Sequence, residues 1–337
     1  MLPPEIISKV STQYEQALAS GDLFFFPSTV HNHSESGIEY EIRLCPALQQ
    51  KPSLPTPHFE AKPVPLNEED TPKKDDPFAP PYNSGLFVGY LRDARYEEEE
   101  YAVLLNKYSV VPEHFLLVTK EFRSQSSPPS PDDLVSAYAL LAAARKKHKN
   151  MIAFYNCGEL SGASQPHKHL QLLEVEDDGP PIEAIARQIN LETPDKPFSL
   201  SRVPYANHVY RFPSNLYSSP PDEIERVLTK AFVCLLDLAI SSIRFDPNYP
   251  KGKASYNVLL TLNHMHVIPR LQDEYTLSST GGTLNINSLG YAGMLLVKSE
   301  EELEAVKKEG ILKILRATGL ENVHDKQVSG VTSDVVQ

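Results

Sequence analysis

Apolar and polar residues follow each other along this chain with two different periods, which predicts a protein built from both helices and strands. Five segments repeat their apolar positions at the spacing of about 3.6 residues that is typical of a helix: 4–20, 130–150, 182–190, 222–241 and 300–319. Segment 130–150 also has two acids soon after Ser130 and basic residues near its end, which complements the helix dipole. We therefore expect these segments to be helical.

A second group of segments is short and either alternates polar with apolar residues or is continuously apolar, as strands are. These segments are 21–26, 39–48, 85–91, 101–111, 114–122, 151–158, 169–175, 255–262, 264–271 and 293–299. Pro112 and Glu113 separate two of them, and Asn263 separates two others. Both pairs are therefore predicted to form antiparallel hairpins.

Residues 51–81 contain nine prolines in 31 positions, with charged and polar residues between them. Because proline lacks a backbone N–H group, regular structure is not expected there, and the segment is predicted to wrap the surface or to border a binding site. A second break at 179–181 separates the strands of the first half from the helices that follow. No repeat with a period of 20–50 residues is visible, which argues against a solenoid or a propeller.

The composition is that of a globular protein, and a length of 337 residues favours one large domain or two closely packed ones. No apolar run reaches the roughly 20 residues that cross a bilayer, and the first residues do not resemble a secretory signal. A formal charge of −12 argues against nucleic-acid binding. Three dispersed cysteines argue against disulfides and a thiolate zinc site. We expect a cytoplasmic protein, with the nucleus as a second compartment, that binds neither membranes nor nucleic acids.

Residues 156–171 contain the densest group of chemically reactive side chains. A loop rich in glycine and serine lets the backbone approach a ligand closely and exposes amide donors, which suits a phosphate. In the strand predicted after this loop, His167, His169 and Gln171 alternate with other residues and so share one face. Three such side chains beside a phosphate-binding loop predict a functional site.

Two other interpretations of His167 and His169 start from the same residues. An isolated His-x-His pair is most often a hydrogen-bonded polar pair at a strand edge. A zinc site is the other alternative, but no nearby cysteine or carboxylate completes the ligand set, and Gln171 is a poor zinc ligand. We therefore expect no metal ligands among these residues.

The run from Asn156 to Gln171, with its NxG and SGxSQxHxHxQ patterns, resembles the histidine-triad superfamily in its transferase branch, where glutamine replaces the last histidine. Residues 104–122 and 130–150 look like the paired strands and the helix of that fold. Residues 255–270 and 285–304 resemble the C-terminal region of the fungal diadenosine tetraphosphate (Ap4A) phosphorylases, also called ATP adenylyltransferases. The resemblance implies an α+β fold in which helices flank an antiparallel sheet of histidine-triad type.

The resemblance also implies a division of the chain and an activity. Residues 1–180 would form the catalytic region with the proline-rich loop at 51–81, residues 181–320 would complete the active site, and residues 321–337 would be a flexible tail. The implied activity is reversible phosphorolysis of Ap4A to ATP and ADP through a covalent histidine–AMP intermediate. The expected partners are therefore Ap4A, ATP, ADP and phosphate. No tightly bound cofactor is expected, and Mg²⁺ would enter only with the nucleotide.

By this resemblance His169 is the nucleophile, His167 orients it, and Gln171 holds a phosphate oxygen without supplying a proton. The implied substrate-binding residues are those of the loop and several outside it: Lys51, Asn106, Asn156, Gly158, Ser161, Gly162, Ser164, Gln165, His266 and Lys298. Gly158 and Ser161 fit equally well a role in shaping the turn. His264-Met-His266 repeats the His-x-His pattern without a glycine–serine loop, so we expect no second catalytic centre there.

Two alternatives remain beside this interpretation. Sugar-1-phosphate uridylyltransferases share the His-x-His-x-Gln element and the covalent chemistry, but they usually have proline between the histidines and often structural metal ligands. Lys168 and Leu170, together with the missing cysteine ligands, argue against this alternative. A nucleotide-binding module that has lost catalysis is the other alternative, against which the intact His169 and Gln171 argue. An activity assay separates the three.

Overall fold

The computed structural model describes residues 1–50, 76–92, 101–176, 179–193, 195–252 and 254–322. Most of the proline-rich segment, including Lys51, and nearly all of the predicted tail lie outside the described residues. Residues 76–81, which end the proline-rich segment, form neither a helix nor a strand, as predicted.

Helices form at all five predicted segments, and a short one that the sequence did not indicate follows residue 287. The helices of the described residues are α1 (Pro3–Ser20), α2 (Pro131–Arg145), α3 (Pro181–Gln188), α4 (Pro221–Phe245), α5 (Ser288–Ala292), α6 (Glu300–Glu309) and α7 (Ile311–Thr318). A capping box begins α2, in which Ser130 and Asp133 each accept a hydrogen bond from the other's backbone N–H. None of the described helices is both long and apolar enough to cross a membrane.

The single helix predicted over 300–319 is wrong in one respect, because the structure divides it at Gly310 into α6 and α7. Gly310 has a φ of +91°, a conformation that interrupts the helical backbone and strains any other residue. Beyond it, the carboxylate of Glu35 accepts hydrogen bonds from the backbone N–H groups of Ile311 and Leu312. This negative charge stabilises the start of α7. The apolar spacing continues across the break and therefore does not reveal it.

The strands agree with the predicted segments, with additions at 29–35, 198–211 and 274–285. They are β1 (Phe24–Phe25), β2 (Thr29–Glu35), β3 (Ile38–Leu44), β4 (Phe87–Leu91), β5 (Tyr101–Leu105), β6 (Tyr108–Ser109), β7 (Phe115–Thr119), β8 (Met151–Cys157), β9 (His169–Glu174), β10 (Phe198–Ser199), β11 (His208–Arg211), β12 (Tyr256–Leu260), β13 (His264–Pro269), β14 (Glu274–Thr276), β15 (Thr283–Asn285) and β16 (Met294–Val297). Both predicted hairpins form, since β5 pairs with β7 and β12 pairs with β13. The expected strand at His167 starts two residues later, and His167 forms an isolated bridge with Ser124.

Nine of the described strands form one antiparallel sheet, in the order β10-β11-β13-β12-β8-β9-β7-β5-β4. At its centre β8 pairs with β12, so that Asn156 lies directly opposite Asn257. The sheet therefore continues across the break at 179–181. Elsewhere, β3 near the N-terminus pairs in parallel with β16 near the C-terminus, which ties the two regions together a second time.

The two faces of the sheet bury different partners. One face packs under α1, α2 and α4 in a large apolar cluster that includes Tyr155 and Val258. The opposite face lies under β3, α3 and the C-terminal helices at one end, and under Phe78 and Tyr82 at the other. Helices thus flank an antiparallel sheet, which confirms the predicted α+β class. Gln171 faces Phe154 and Leu116 across neighbouring strands, so the candidate site lies on this second face.

Candidate active site

The glycine–serine loop runs from the end of β8 to the start of β9, and two glycines let the C-terminal region pack closely against it. Gly158 has a φ of +88°, and a Cβ there would lie 2.5 Å from the hydroxyl of Ser255. Gly162 has a φ of +78°, and a Cβ there would lie 2.6 Å from the backbone oxygen of Ile286. Both positions need glycine for backbone conformation and for space. The C-terminal region therefore fixes the shape of the loop.

His169 occupies the first position of β9 and is only 1% exposed. Its Nδ1 donates a hydrogen bond of 2.8 Å to the backbone oxygen of His167, which leaves the lone pair of the neutral ring on Nε2. Burial lowers the pKa of His169 to about 4, and the charge of the neighbouring His167 acts in the same direction. At neutral pH the ring is therefore uncharged, and its Nε2 is chemically suited to act as a nucleophile.

His167 lies between two hydrogen-bond acceptors. Its Nδ1 lies 2.8 Å from a carboxylate oxygen of Asp76, and its Nε2 lies 2.8 Å from the backbone oxygen of Thr119. Both ring nitrogens donate when both bonds form, and Asp76 balances the resulting charge. These contacts fix the backbone of His167, whose oxygen in turn orients His169. They also fasten the end of the proline-rich segment to the site.

Lys168, between the two histidines, is buried on the other side of the chain. Its Nζ contacts Asp133 over 2.6 Å and donates to the backbone oxygen of Pro128 over 2.9 Å. The residue between the histidines thus anchors this segment to the start of α2.

The side-chain amide of Gln171 is oriented by two residues of the β5–β7 hairpin. His114 Nε2 lies 3.1 Å from Gln171 Oε1, and Asn106 Nδ2 lies 2.9 Å from His114 Nδ1. Burial lowers the pKa of His114 to about 4, so the ring is neutral, accepts from Asn106 and donates to Gln171. Because Oε1 is the acceptor, the NH₂ group of Gln171 stays available to a ligand. The amide of Asn106 thus supports His114, and its implied contact with substrate stays a prediction.

Asn156 at the end of β8 connects the two regions of the chain. Its Oδ1 accepts hydrogen bonds from Asn257 Nδ2 over 2.8 Å and from the hydroxyl of Ser288 over 2.6 Å. Its Nδ2 is buried without a partner among the described residues. Continuing the register of β8 and β9 by two residues brings Asn156 opposite His169, so this unpaired donor lies on the same face of the sheet as His169.

Ser161 shapes the loop through its own backbone and side chain. Its hydroxyl donates to the backbone oxygen of Gly158 over 2.6 Å, while its backbone oxygen accepts from Asn257 and from the wholly buried Arg270. The same Arg270 donates to the backbone oxygen of Ile286 over 2.8 Å. These contacts favour the turn-shaping alternative for Ser161.

The remaining predicted residues differ in how close they lie to His169. Ser164 is exposed and Gln165 is half-buried, and neither side chain has a hydrogen-bond partner among the described residues. Lys298 borders a cavity of about 550 Å³ that also adjoins Ile286, against which Gly162 packs. His266 lies on β13, three strands from β9 and so roughly 14 Å away at the usual strand spacing. The predicted substrate contacts of these residues stay predictions.

Several residues that build the site gave no signal in the sequence. Asp76, Phe78, His114 and Gln125 come from loops and strand ends far from 156–171 along the chain. Phe78 packs its ring 4.9 Å from that of His169, centroid to centroid. His114 is a single histidine beside a strand, and only the pairing of β7 with β9 brings it to Gln171. Of these four residues, only His114 could have been found from the sequence, by a search for isolated histidines near the ends of predicted strands.

Metal ligands do not cluster in the part of the chain that the structure describes. No group of three or more histidine, cysteine, aspartate or glutamate side chains within it is arranged to hold a metal ion.

Comparison with known proteins relates this site to one family. A model of the Ap4A phosphorylase N-terminal domain matches residues 1–188, and a model of the ATP adenylyltransferase C-terminal domain matches residues 201–321. The chain belongs to the Ap4A phosphorylase family. It is 33% identical to the diadenosine 5′,5′′′-P1,P4-tetraphosphate phosphorylase 2 of Saccharomyces cerevisiae over 283 residues, which is 80% of each protein. It is 30% identical to Protein APA1 of the same yeast over 335 residues, which covers 95% of this chain and 96% of APA1.

Solved structures of an Ap4A phosphorylase have the same fold. The crystal structure of yeast Apa2 matches 94% of this chain and 95% of its own length, with a TM-score of 0.75 and 30% identity. A second structure of Apa2, in complex with Ap4A, matches 94% of this chain and 98% of its own with the same TM-score. The predicted family and fold are therefore confirmed.

Proposed function

We propose that this protein is a nucleotidyltransferase that phosphorolyses Ap4A to ATP and ADP through a covalent adenylyl-His169 intermediate. One observation carries the proposal. His169 is a neutral, buried imidazole whose Nδ1–H is engaged by the backbone of His167, which leaves Nε2 as the reactive nitrogen beside the glycine–serine loop. The relatives whose names and structures refer to Ap4A support the choice of substrate.

In the first step, Nε2 of His169 attacks the α-phosphorus of Ap4A. The bond from nitrogen to phosphorus forms while the bond to the bridging oxygen breaks, and ATP leaves with the electron pair. ATP is a stable anion, so the step does not need a strong general acid. This is why a glutamine at position 171 is compatible with the chemistry.

In the second step, an oxygen of inorganic phosphate attacks the same phosphorus. The nitrogen–phosphorus bond breaks, ADP forms, and His169 returns to its neutral state. The same covalent intermediate forms from Ap4A in phosphorolysis and from ADP in the reverse reaction. The reverse reaction therefore makes Ap4A from ATP and ADP.

Donors around His169 are suited to the charge on the phosphates during both steps. The NH₂ group of Gln171, the buried Nδ2 of Asn156 and the backbone N–H groups of the glycine–serine loop are neutral donors of this kind. Lys298 and Lys51 would add positive charge for the phosphates further from the attacked phosphorus. Because the chain is acidic overall, this local group of donors and cations has to supply the attraction.

We further propose that the reaction uses no tightly bound cofactor and that any Mg²⁺ enters with the polyphosphate. The expected partners are small nucleotides and phosphate rather than nucleic acids or membranes. The proposed compartment is the cytoplasm, with the nucleus as a second one.

The test is to incubate the protein with Ap4A, with and without phosphate, and to identify the nucleotides that are released. ATP and ADP in equal amounts, formed only with phosphate, are the expected result. Without phosphate, substrate labelled at the α-phosphorus should label the protein with an acid-labile, alkali-stable adduct. The His169→Ala variant is the control and should stay unlabelled. Transfer of UMP from a UDP-sugar would favour the uridylyltransferase alternative, and nucleotide binding without turnover would favour a non-catalytic module.

A further inference from the structure

Gln125 is a wholly buried residue in the segment between β7 and α2, and the proposed reaction steps assign no role to it. Its side-chain amide makes three hydrogen bonds. The Oε1 accepts from the backbone N–H of His169 over 2.8 Å, and the Nε2 donates to the backbone oxygens of Asn156 over 2.7 Å and of His169 over 3.2 Å. One side chain therefore satisfies both backbone polar groups of the nucleophile.

In a regular sheet, the backbone groups that Gln125 bonds would instead be paired with each other. The ladder between β8 and β9 ends with Phe154 opposite Gln171. Two residues further along, Asn156 and His169 would bond each other directly if the ladder continued. The amide of Gln125 lies between them instead and replaces that contact, since an amide carries the same donor and acceptor as a peptide group. The strands therefore separate at the nucleophile.

The backbone of Gln125 holds both ends of the glycine–serine loop. Its N–H donates to the backbone oxygen of Pro166 over 2.8 Å, and its oxygen accepts from the backbone N–H of Gly158 over 3.4 Å. The hydroxyl of Tyr155 donates to the same oxygen over 2.9 Å. Residue 125 is thus the point at which the start of the loop, its end and the nucleophile are joined.

We propose that Gln125 is a positioning residue, which holds the backbone of His169 at the point where β8 and β9 separate around the glycine–serine loop. It acts through His169 and has no contact with the reacting atoms. The ring of His169 is attached to the backbone at Cα. A shift of the backbone there therefore moves Nε2 away from the line of attack on phosphorus. A misplacement of about 1 Å is enough to slow such a reaction by about 100-fold. This inference rests on the proposed function.

Two variants of Gln125 test the inference. Gln125→Met keeps the size of the side chain and removes all three hydrogen bonds. Gln125→Glu keeps the acceptor for the N–H of His169 but turns a second oxygen towards two backbone oxygens. The control is Leu140→Ala in the buried face of α2, which packs on the face of the sheet opposite to His169 and whose truncation lowers stability through a cavity.

The measurements are the single-turnover rate of protein adenylylation at saturating Ap4A, the KM, the affinity for AMP and the thermal unfolding midpoint. For Gln125→Met we expect the adenylylation rate to fall about 100-fold, with KM and AMP affinity within about threefold of the wild type. Leu140→Ala should lower the midpoint with a wild-type rate for the folded protein. A purely structural role would not lower the adenylylation rate while leaving KM and AMP affinity nearly unchanged.

Three results would overturn the inference: a rate within threefold of the wild type, a loss that appears only in KM and AMP affinity, or an equal loss of rate in Leu140→Ala. If Gln125→Met does not fold, Gln125→Glu is judged on the same measurements, and failure of both to fold would show that residue 125 serves the fold alone. A wild-type protein that is never adenylylated would refute the proposed function, which is a different result from an active wild type with unaffected Gln125 variants.

Discussion

The sheet contains two His-x-His pairs, His167/His169 at the start of β9 and His264/His266 in β13. The histidines of both pairs face the same side of the sheet, but their ring nitrogens have different partners. His169 has one nitrogen engaged by a backbone oxygen and the other without a partner among the described residues. His264 has both engaged, because Nδ1 lies 2.8 Å from the carboxylate of Glu183 and Nε2 accepts from Arg211 over 3.0 Å. A histidine of such a pair can act as a nucleophile only where one ring nitrogen has no partner in the protein and a loop beside it provides room for phosphate.

The other histidine of each pair reverses this contrast. Both ring nitrogens of His167 have partners, Asp76 and Thr119, and its backbone oxygen accepts the hydrogen bond from His169. His266 is wholly buried, with Nδ1 3.1 Å from Asn207 Oδ1, and its Nε2 has no partner among the described residues. Burial lowers the pKa of His266 to about 3, so it stays neutral inside the C-terminal half. The second pair thus also has an unpartnered nitrogen but no glycine–serine loop beside it, and the predicted contact of His266 with substrate stays a prediction.

The largest expected effect comes from His169→Ala, which removes the nucleophile. Turnover should fall at least about 1,000-fold, while the unfolding midpoint and AMP binding stay close to the wild type, since the side chain makes one hydrogen bond to the backbone. Steady-state kinetics and thermal unfolding measure the two quantities. Turnover near the wild-type value would refute the covalent mechanism.

The matched variant His264→Gln should have the opposite profile. Removing the imidazole takes away the Nδ1 donor of the Glu183 carboxylate, which is 1% exposed and keeps the hydroxyl of Thr261 as its other buried donor. Leaving a buried carboxylate short of a hydrogen-bond donor costs ~1–3 kcal/mol of unfolding free energy. Denaturant unfolding should show this loss, with a wild-type kcat for the protein that remains folded. A normal unfolding free energy together with lost turnover would mean that the second pair takes part in catalysis.

Acid should destabilise the protein through histidines in both halves. Burial lowers the pKa of His114, His169 and His208 to about 4 and that of His266 to about 3, against an ordinary value of 6.5. Between about pH 6.5 and 4 the unfolded chain binds protons that the folded chain does not, so stability falls as pH falls. The slope is about 1.4 kcal/mol per pH unit for each such histidine.

Unfolding free energies at pH 7, 6 and 5 measure this slope. His208 contacts Ser242 on α4 and lies outside the active site, so His208→Gln should reduce the slope by one proton and leave the pH profile of turnover unchanged. Equal stability at pH 7 and pH 5 would contradict the burial of neutral imidazoles.

The smallest effect concerns Gln171→His, which places a proton-accepting ring beside the intermediate. An amide cannot act as a general base for water, whereas an imidazole can, and phosphate needs no such base near neutral pH. We expect the ratio of AMP to ADP released at fixed phosphate to rise about tenfold, which is about 1.4 kcal/mol. His264→Gln is the control and should keep the wild-type ratio. An unchanged ratio in Gln171→His would locate the discrimination against water elsewhere.

The local parts of this protein were open to prediction from the sequence alone. Helical spacing gave α1, α2 and α4, and alternation gave the hairpins around Pro112 and Asn263, because these patterns reflect burial within one continuous segment. The run 156–171 indicated His169, Gln171 and the loop through its resemblance to a family, and this was possible because all of them lie within sixteen consecutive residues. The split at Gly310 was missed because it depends on Glu35, which is distant along the chain.

The tertiary structure alone decided which residues support that run. Asp76 reaches His167, His114 reaches Gln171, and Gln125 reaches His169 only after the strands have paired. These contacts join residues separated by dozens of positions, and no periodicity records such a separation. The sequence by itself thus determined which reactive side chains the site contains, whereas the pairing of the strands determined that Nε2 of His169 is left without a protein partner.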